Sequence, residues 1–165
     1  MGHKLTQHDI DKMREEIEYR KVVLRKELLE HVKEARAHGD LSENFEYHAA
    51  KKEKNRNESR IRYLERMIRT SEVVSDHADS DQVGVNKTVK LYFEEDAEED
   101  TFSFVTTVLV DSTKNRVSIE SPLGKALMGH RTGDRVYVEV NPQYGYYVEI
   151  RDVCPFEDDV PLNAY

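Results

Sequence analysis

Seven residues near the end of the chain's first quarter, Gly39-Asp40-Leu41-Ser42-Glu43-Asn44-Phe45, constrain the fold most. The sequence on either side reads as one long amphipathic helix, so this stretch must be the turn of a helical hairpin. Before it, apolar residues fall at Ile10, Met13, Ile17, Leu24, Leu28 and Ala35, with His31 completing the row and Lys21 interrupting it. After it, Tyr47, Ala50, Ile61, Leu64 and Ile68 repeat the pattern, with Lys54 and Asn57 between them. Intervals of three and four mark one stripe of a coiled coil. In an antiparallel pair, Ala35 meets Tyr47, Leu28 meets Lys54, Leu24 meets Asn57, Lys21 meets Ile61 and Ile17 meets Leu64. At 1.5 Å per residue the arm from Ile10 to the turn reaches roughly 45 Å.

Both ends of the first arm carry their own signals. Thr6 fits an N-cap with Asp9 as the acid three residues on, an acidic variant of the capping box. Leu5 and Ile10 then take the staple positions. Gly39 lies where a helix ends in a left-handed residue. Asp40 and Glu43 are two carboxylates at the far end of a stalk, and three residues apart at a helix start they can point to one side. Two readings stay open for them. Asp40 caps the second helix with Glu43 interacting with its macrodipole, or the pair is presented to another molecule.

Composition narrows the class. Charged residues make up 35% and hydrophobic ones 38% of 165 residues, which suits a large solvated helical surface. A formal net charge of -8 argues against non-specific nucleic-acid binding by the whole chain. The second arm runs the other way, with eight Lys or Arg against four Glu between residues 44 and 69. These cations form either a solvated face with ion pairs or a strip that follows a phosphate backbone. The single cysteine, Cys154, excludes an intramolecular disulfide and fits a reducing compartment. There is no apolar run of membrane-spanning length. The start Met1-Gly2 to Thr6 matches the acylation pattern loosely, and Leu5 and Thr6 have the structural use given above. A soluble, cytoplasmic monomer is expected.

The period changes to two after Ser75–Gly84, which reads as a linker. Residues 1–74 form the hairpin, 75–84 the linker, 85–153 a second domain and 154–165 a loosely held tail. Strands are expected at 85–93, 101–110, 116–119, 135–140 and 144–153. Glu94–Asp100, six acids in seven residues, should be an exposed hairpin loop. Pro122–Gly129 reads as a short helix starting at Pro122 after an N-cap Ser121. The class is α+β, with one curled antiparallel sheet carrying a short helix. No phosphate loop, HExxH pair or nucleophile triad is spaced to work, and the seven histidines show no metal-ligand spacing.

Residues 34–52, Glu-Ala-Arg-Ala-His-Gly-Asp-Leu-Ser-Glu-Asn-Phe-Glu-Tyr-His-Ala-Ala-Lys-Lys, closely resemble the signature of bacterial GreA-type transcript-cleavage factors. Ile119–Gly129 (IESPLGKALMG) and Gly133-Asp-Arg-Val136 are similar to the family's second signature. The resemblance runs from about Leu5 to Val153. It implies a coiled-coil hairpin followed by a domain of FKBP-like fold without prolyl isomerase activity. It also implies a factor that is not itself an enzyme. The second domain would dock on the rim of bacterial RNA polymerase through Ser121, Pro122 and Gly124. The hairpin would enter the secondary channel, and the polymerase would cleave the backtracked 3′ segment of the nascent RNA. Asp40 and Glu43 would then hold a Mg²⁺ jointly with the polymerase and position the attacking water, while Lys51 and Lys52 would contact RNA.

The chain departs from the family at the acidic Glu94–Asp100 loop, at strand Phe102–Val110 and in its tail. Some relatives keep this architecture with an altered tip and inhibit polymerase. Here Asp40, Leu41, Glu43, Asn44 and Tyr47 are intact, which favours cleavage over a channel-binding competitor. A nucleic-acid-binding arm is disfavoured because the tip carboxylates would repel phosphates. An FKBP-type isomerase is the remaining class.

Overall fold

The computed structural model describes residues 2–39, 44–156 and 159–164. The order of elements is β1 (Lys4–Leu5), α1 (Gln7–Tyr19), a π-helical turn (Arg20–Leu24), α2 (Arg25–Arg36), α3 (Phe45–Thr70) and β2 (Glu72–Val73). After these come β3 (Lys87–Phe93), β4 (Glu98–Val105), β5 (Arg116–Ser118), α4 (Pro122–Leu127), β6 (Arg135–Asn141) and β7 (Tyr144–Pro155). The class is α+β, as expected. Two compact units emerge, one of Ile10–Ser71 with Gly2, the other of His3–Asp9 with Glu72–Ala164.

In the first unit α2 and α3 run antiparallel, and Leu28, Ala35, Ile61 and Leu64 are buried as the 3-4 spacing requires. Cross-helix ion pairs fall within a few residues of the expected register: Arg25 with Glu58 at 2.8 Å and Lys21 with Glu65 at 3.0 Å. One expected seam contact is corrected. Lys21 does not face Ile61 as a seam residue but is 41% exposed against Glu65. The arm is not a continuous α-helix there, because residues 20–24 widen into a π turn. The Arg20 carbonyl accepts from Arg25 N–H and from Asn57 Nδ2, and Asn57 Oδ1 accepts from Arg20 in return. Asn57 is thereby satisfied although only 2% exposed.

Glu16 also ties the arms, accepting from Arg20 Nε on its own arm and from Arg60 Nε on the other, each at 2.7 Å. Burial would raise its pKa, but the hydrogen bonds from Arg60 and Arg20 outweigh that and hold it below the ordinary carboxylate value. A depressed folded-state pKa stabilises above the unfolded value, and this stability is lost as pH falls through the folded one. Glu16→Gln is therefore expected to cost the hairpin roughly 1–3 kcal/mol at neutral pH. It should cost progressively less on acidification. Urea denaturation followed by circular dichroism at pH 7 and in acid tests this, and equal midpoints at pH 7 would contradict it.

The second unit begins with the N-terminal segment. Thr6 N–H donates to Asp9 Oδ2 and Asp9 N–H to Thr6 Oγ1, both at 3.1 Å, so the capping box forms. Thr106 Oγ1 also donates to Asp9 Oδ2 at 2.6 Å. β1 pairs with β2 in parallel, a two-residue ladder that the pattern did not announce. These contacts are why residues 3–9 cluster with the sheet rather than with the hairpin.

The main sheet has the order β5-β4-β3-β7-β6. It is mixed rather than wholly antiparallel as expected, because β5 runs parallel to β4. Val89, Leu91, Phe104, Val138, Val148 and Ile150 line its inner face with Leu127 of α4 and Val83. Val83 corrects the linker reading. It is buried, donates to the His130 carbonyl and accepts from Gly129, while Asp79 and Asp81 clasp Arg131. The acidic turn is shorter than expected. Residues 98–100 already belong to β4, opposite Phe93, Tyr92 and Leu91, with their side chains in solvent. The strand expected to reach Val110 stops at Val105, before a 3₁₀ turn at Thr107–Leu109. The tail is also tied down, with Asn163 donating through N–H to Val108 O and through Nδ2 to Thr107 O, both at 2.8 Å.

Helix α4 starts as expected. Ser121 is the N-cap, its Oγ accepting from Gly124 N–H at 3.1 Å, and Pro122 takes the first turn. Gly124 is buried, and a Cβ there would lie 2.4 Å from the Ser118 carbonyl oxygen, so only glycine lets the helix seat this closely.

Candidate functional site at the hairpin end

The first arm closes at residues that cannot continue it. Ala37 N–H returns to Lys33 O at 3.1 Å and His38 N–H to Ala35 O at 3.2 Å. Gly39 then takes φ +114°, in the left-handed region glycine tolerates. The second arm opens at Asn44, in extended backbone, with Oδ1 accepting from Tyr47 N–H at 3.0 Å. Its Nδ2 donates to the Ala35 carbonyl at 2.6 Å. One side chain thus caps α3 and fastens it to the last turn of α2.

Asn44 resolves one of the two readings of the tip acids. The cap of α3 is Asn44 and the third helical residue is Tyr47, so the assignment of Asp40 and Glu43 to those positions is corrected. The cap signal nearest the first seam residue, Tyr47, was the informative one. Asp40 and Glu43 themselves lie outside the described residues.

Around Asn44 the end of the hairpin is built from cations and rings. The Arg36 guanidinium lies 5.6 Å from the Tyr47 ring centroid. A hydrogen bond with Arg36, assisted by the charge of Lys51, holds the Tyr47 phenol below its ordinary pKa. His38 Nδ1 meets Glu46 Oε2 at 3.1 Å across the turn, and His48 sets its ring edge-on to Tyr47 at 5.4 Å. Phe45 projects into solvent, and its role was not legible in the sequence. Lys51 and Lys52 are exposed. Other cations of α3 are engaged: Arg60 with Glu16, Arg56 with Glu53 at 3.1 Å and Arg62 with Ser59 at 3.1 Å. The basic arm is therefore partly an ion-paired face and partly, at Lys51 and Lys52, an exposed strip near the turn. Among the described residues no group of three His, Cys, Asp or Glu side chains could hold a metal ion.

Of the residues expected at a docking surface, Pro122 is exposed and Ser121 half-buried, whereas Gly124 is buried beneath them. Gly124 shapes that turn instead of presenting a surface.

Residues 3–73 match the family model "Transcription elongation factor, N-terminal", and residues 78–155 match "Transcription elongation factor, GreA/GreB, C-term". The transcription elongation factor GreA of Thermoanaerobacter pseudethanolicus is 45% identical over 137 residues, covering 82% of this chain and 87% of that protein. The GreA of Geobacillus kaustophilus is 41% identical over 138 residues, covering 83% and 87%. Among solved structures, GreA factor homolog 1 of Thermus thermophilus is 24% identical, with a TM-score of 0.43 over 93% of this chain and 99% of that one.

Proposed function

Because the chain belongs to the GreA/GreB family of transcription elongation factors, we propose that it rescues backtracked bacterial RNA polymerase in the cytoplasm by stimulating transcript cleavage. The second unit docks on the polymerase rim through the Ser121–Pro122 turn. The hairpin enters the secondary channel and brings Asp40 and Glu43 to the polymerase's catalytic centre. The observation that best supports this is at Asn44. It already caps α3 and binds α2, so the cap of α3 does not fall to either acid of the turn.

The chemistry belongs to the polymerase, and this chain contributes carboxylate oxygens. Such hard donors suit Mg²⁺, but two carboxylates fall short of its six positions. Asp40 and Glu43 would therefore hold the ion jointly with polymerase ligands and substrate phosphate. Bound there, Mg²⁺ supplies charge stabilisation at the scissile phosphate and activates water. The acids of this chain orient that water, and the length of the stalk delivers them.

The test is a cleavage assay on stalled elongation complexes with and without the protein, scoring release of the RNA 3′ fragment. Fragment release that depends on the protein is expected. Binding without release, with slowed nucleotide addition, would make it a channel-binding regulator instead. Charge reversal of both Lys51 and Lys52 should weaken cleavage of long extruded segments severalfold and make its salt dependence shallower, as phosphate contacts are lost. Short segments should be nearly unaffected. Wild-type rates for the double variant on both long and short RNA across a salt series would show the helix face to be merely solvated.

A further inference from the structure

Phe45 is 86% exposed at the first residue of α3. The helix does not require it, since phenylalanine is only a middling helix former and Asn44 makes the cap. One exposed apolar residue is ordinary, but the face it stands on is not. At 100° per residue, Lys52, Arg56 and Tyr63 follow Phe45 within about 20° of a single line along α3. That line lies on the side away from the buried Ile61. Lys52 and Arg56 are exposed, and Tyr63 sits between the guanidinium groups of Arg60 and Arg66, at 5.5 and 5.7 Å from its ring centroid. Among the described residues the carboxylates nearest this row are both paired, Glu53 with Arg56 and Glu46 with His38. An exposed ring leading a row of cations is how proteins hold single strands: bases stack on the ring and phosphates follow the charges.

We propose that Phe45 is a positioning residue that stacks on a nucleobase of the single-stranded RNA extruded toward the hairpin end. Lys52 and Arg56 guide the phosphates behind it. The assignment rests on the function proposed above and adds to it a register device. Phe45 lies two residues after Glu43 and five after Asp40 in sequence, so the stacked base sets which phosphate those carboxylates meet. Stacking recognises a π-face that every base has, so little sequence preference follows.

The experiment uses the full chain with backtracked elongation complexes whose extruded RNA carries 2-aminopurine, a base that loses fluorescence when stacked. Wild-type protein should quench it, Phe45→Ala and Phe45→Leu should not, and Phe45→Tyr should. In parallel, single-turnover cleavage by Phe45→Ala should fall roughly tenfold, with polymerase binding unchanged. An abasic nucleotide at the stacked position should bring wild type down to the Phe45→Ala rate. Cleavage by wild type without quenching, or equal cleavage by wild type and Phe45→Ala, overturns the stacking role and leaves the function standing. Quenching without cleavage supports the stacking role and overturns the function. If Phe45→Leu retains full activity while Phe45→Ala loses polymerase affinity, the ring docks in an apolar pocket of the polymerase and the RNA assignment is wrong.

Discussion

Pro122→Asp is expected to weaken polymerase binding at least tenfold while leaving the chain folded. Pro122 is exposed at the first turn of α4, so the substitution removes no core contact. Aspartate at that position is also compatible with the helix, because an acid near an N-terminus interacts favourably with the macrodipole. The turn beneath it is rigid. Ser121 Oγ donates to Ser118 O at 2.6 Å while accepting from Gly124 N–H, and the absent Cβ of Gly124 lets the turn sit on the Ser118–Ile119 backbone. A charge placed on such a fixed turn has to be desolvated at any interface that covers it. A binding titration with purified core polymerase, with circular dichroism on the isolated variant, measures both halves of the expectation. Unchanged affinity in a folded variant would move the docking surface elsewhere on the second unit.

The parts of this molecule that were legible in the sequence are those in which side-chain pattern and backbone requirement coincide. The buried Ile61 and Leu64 keep the 3-4 interval of a two-helix seam, and Thr6 with Asp9, like Ser121 with Pro122, use side chains to meet the open N–H groups of a helix start. What escaped is mostly backbone pairing that leaves no mark on composition. Glu98–Asp100 continue β4 because their ladder bonds to β3 need only N–H and C=O groups, and their side chains remain in solvent. β5 is three residues long, too short for a period of two to declare its direction, and the tail is held through Asn163 on the carbonyls of Thr107 and Val108. The π turn at residues 20–24 escaped for a related reason: Lys21 fits the seam interval but prefers Glu65 and water. At the hairpin end the chemistry-bearing acids stood out as residues, but the division of labour did not. Asp40, Ser42 and Asn44 are all competent caps, and only the structure assigns that work to Asn44.

That division of labour makes the tip testable by changes that keep shape and remove charge. Asp40→Asn and Glu43→Gln are each expected to lower stimulated cleavage on the order of a hundredfold, since several kcal/mol of charge stabilisation at the phosphate depend on the ion these carboxylates help to hold. Polymerase binding should be unaffected, because neither change touches the Ser121–Pro122 turn. Hairpin stability should also be unchanged, because Asn44 carries both the α3 cap and the bond to Ala35. Raising Mg²⁺ should recover part of the lost rate, as weaker retention is offset by concentration. The most direct measurement is the single-turnover rate of RNA cleavage at saturating protein, for wild type and both variants, across a Mg²⁺ titration. The account predicts low rates for both variants that climb with Mg²⁺ at concentrations where wild type is already saturated. Wild-type rates for Asp40→Asn and Glu43→Gln at every Mg²⁺ concentration would contradict it.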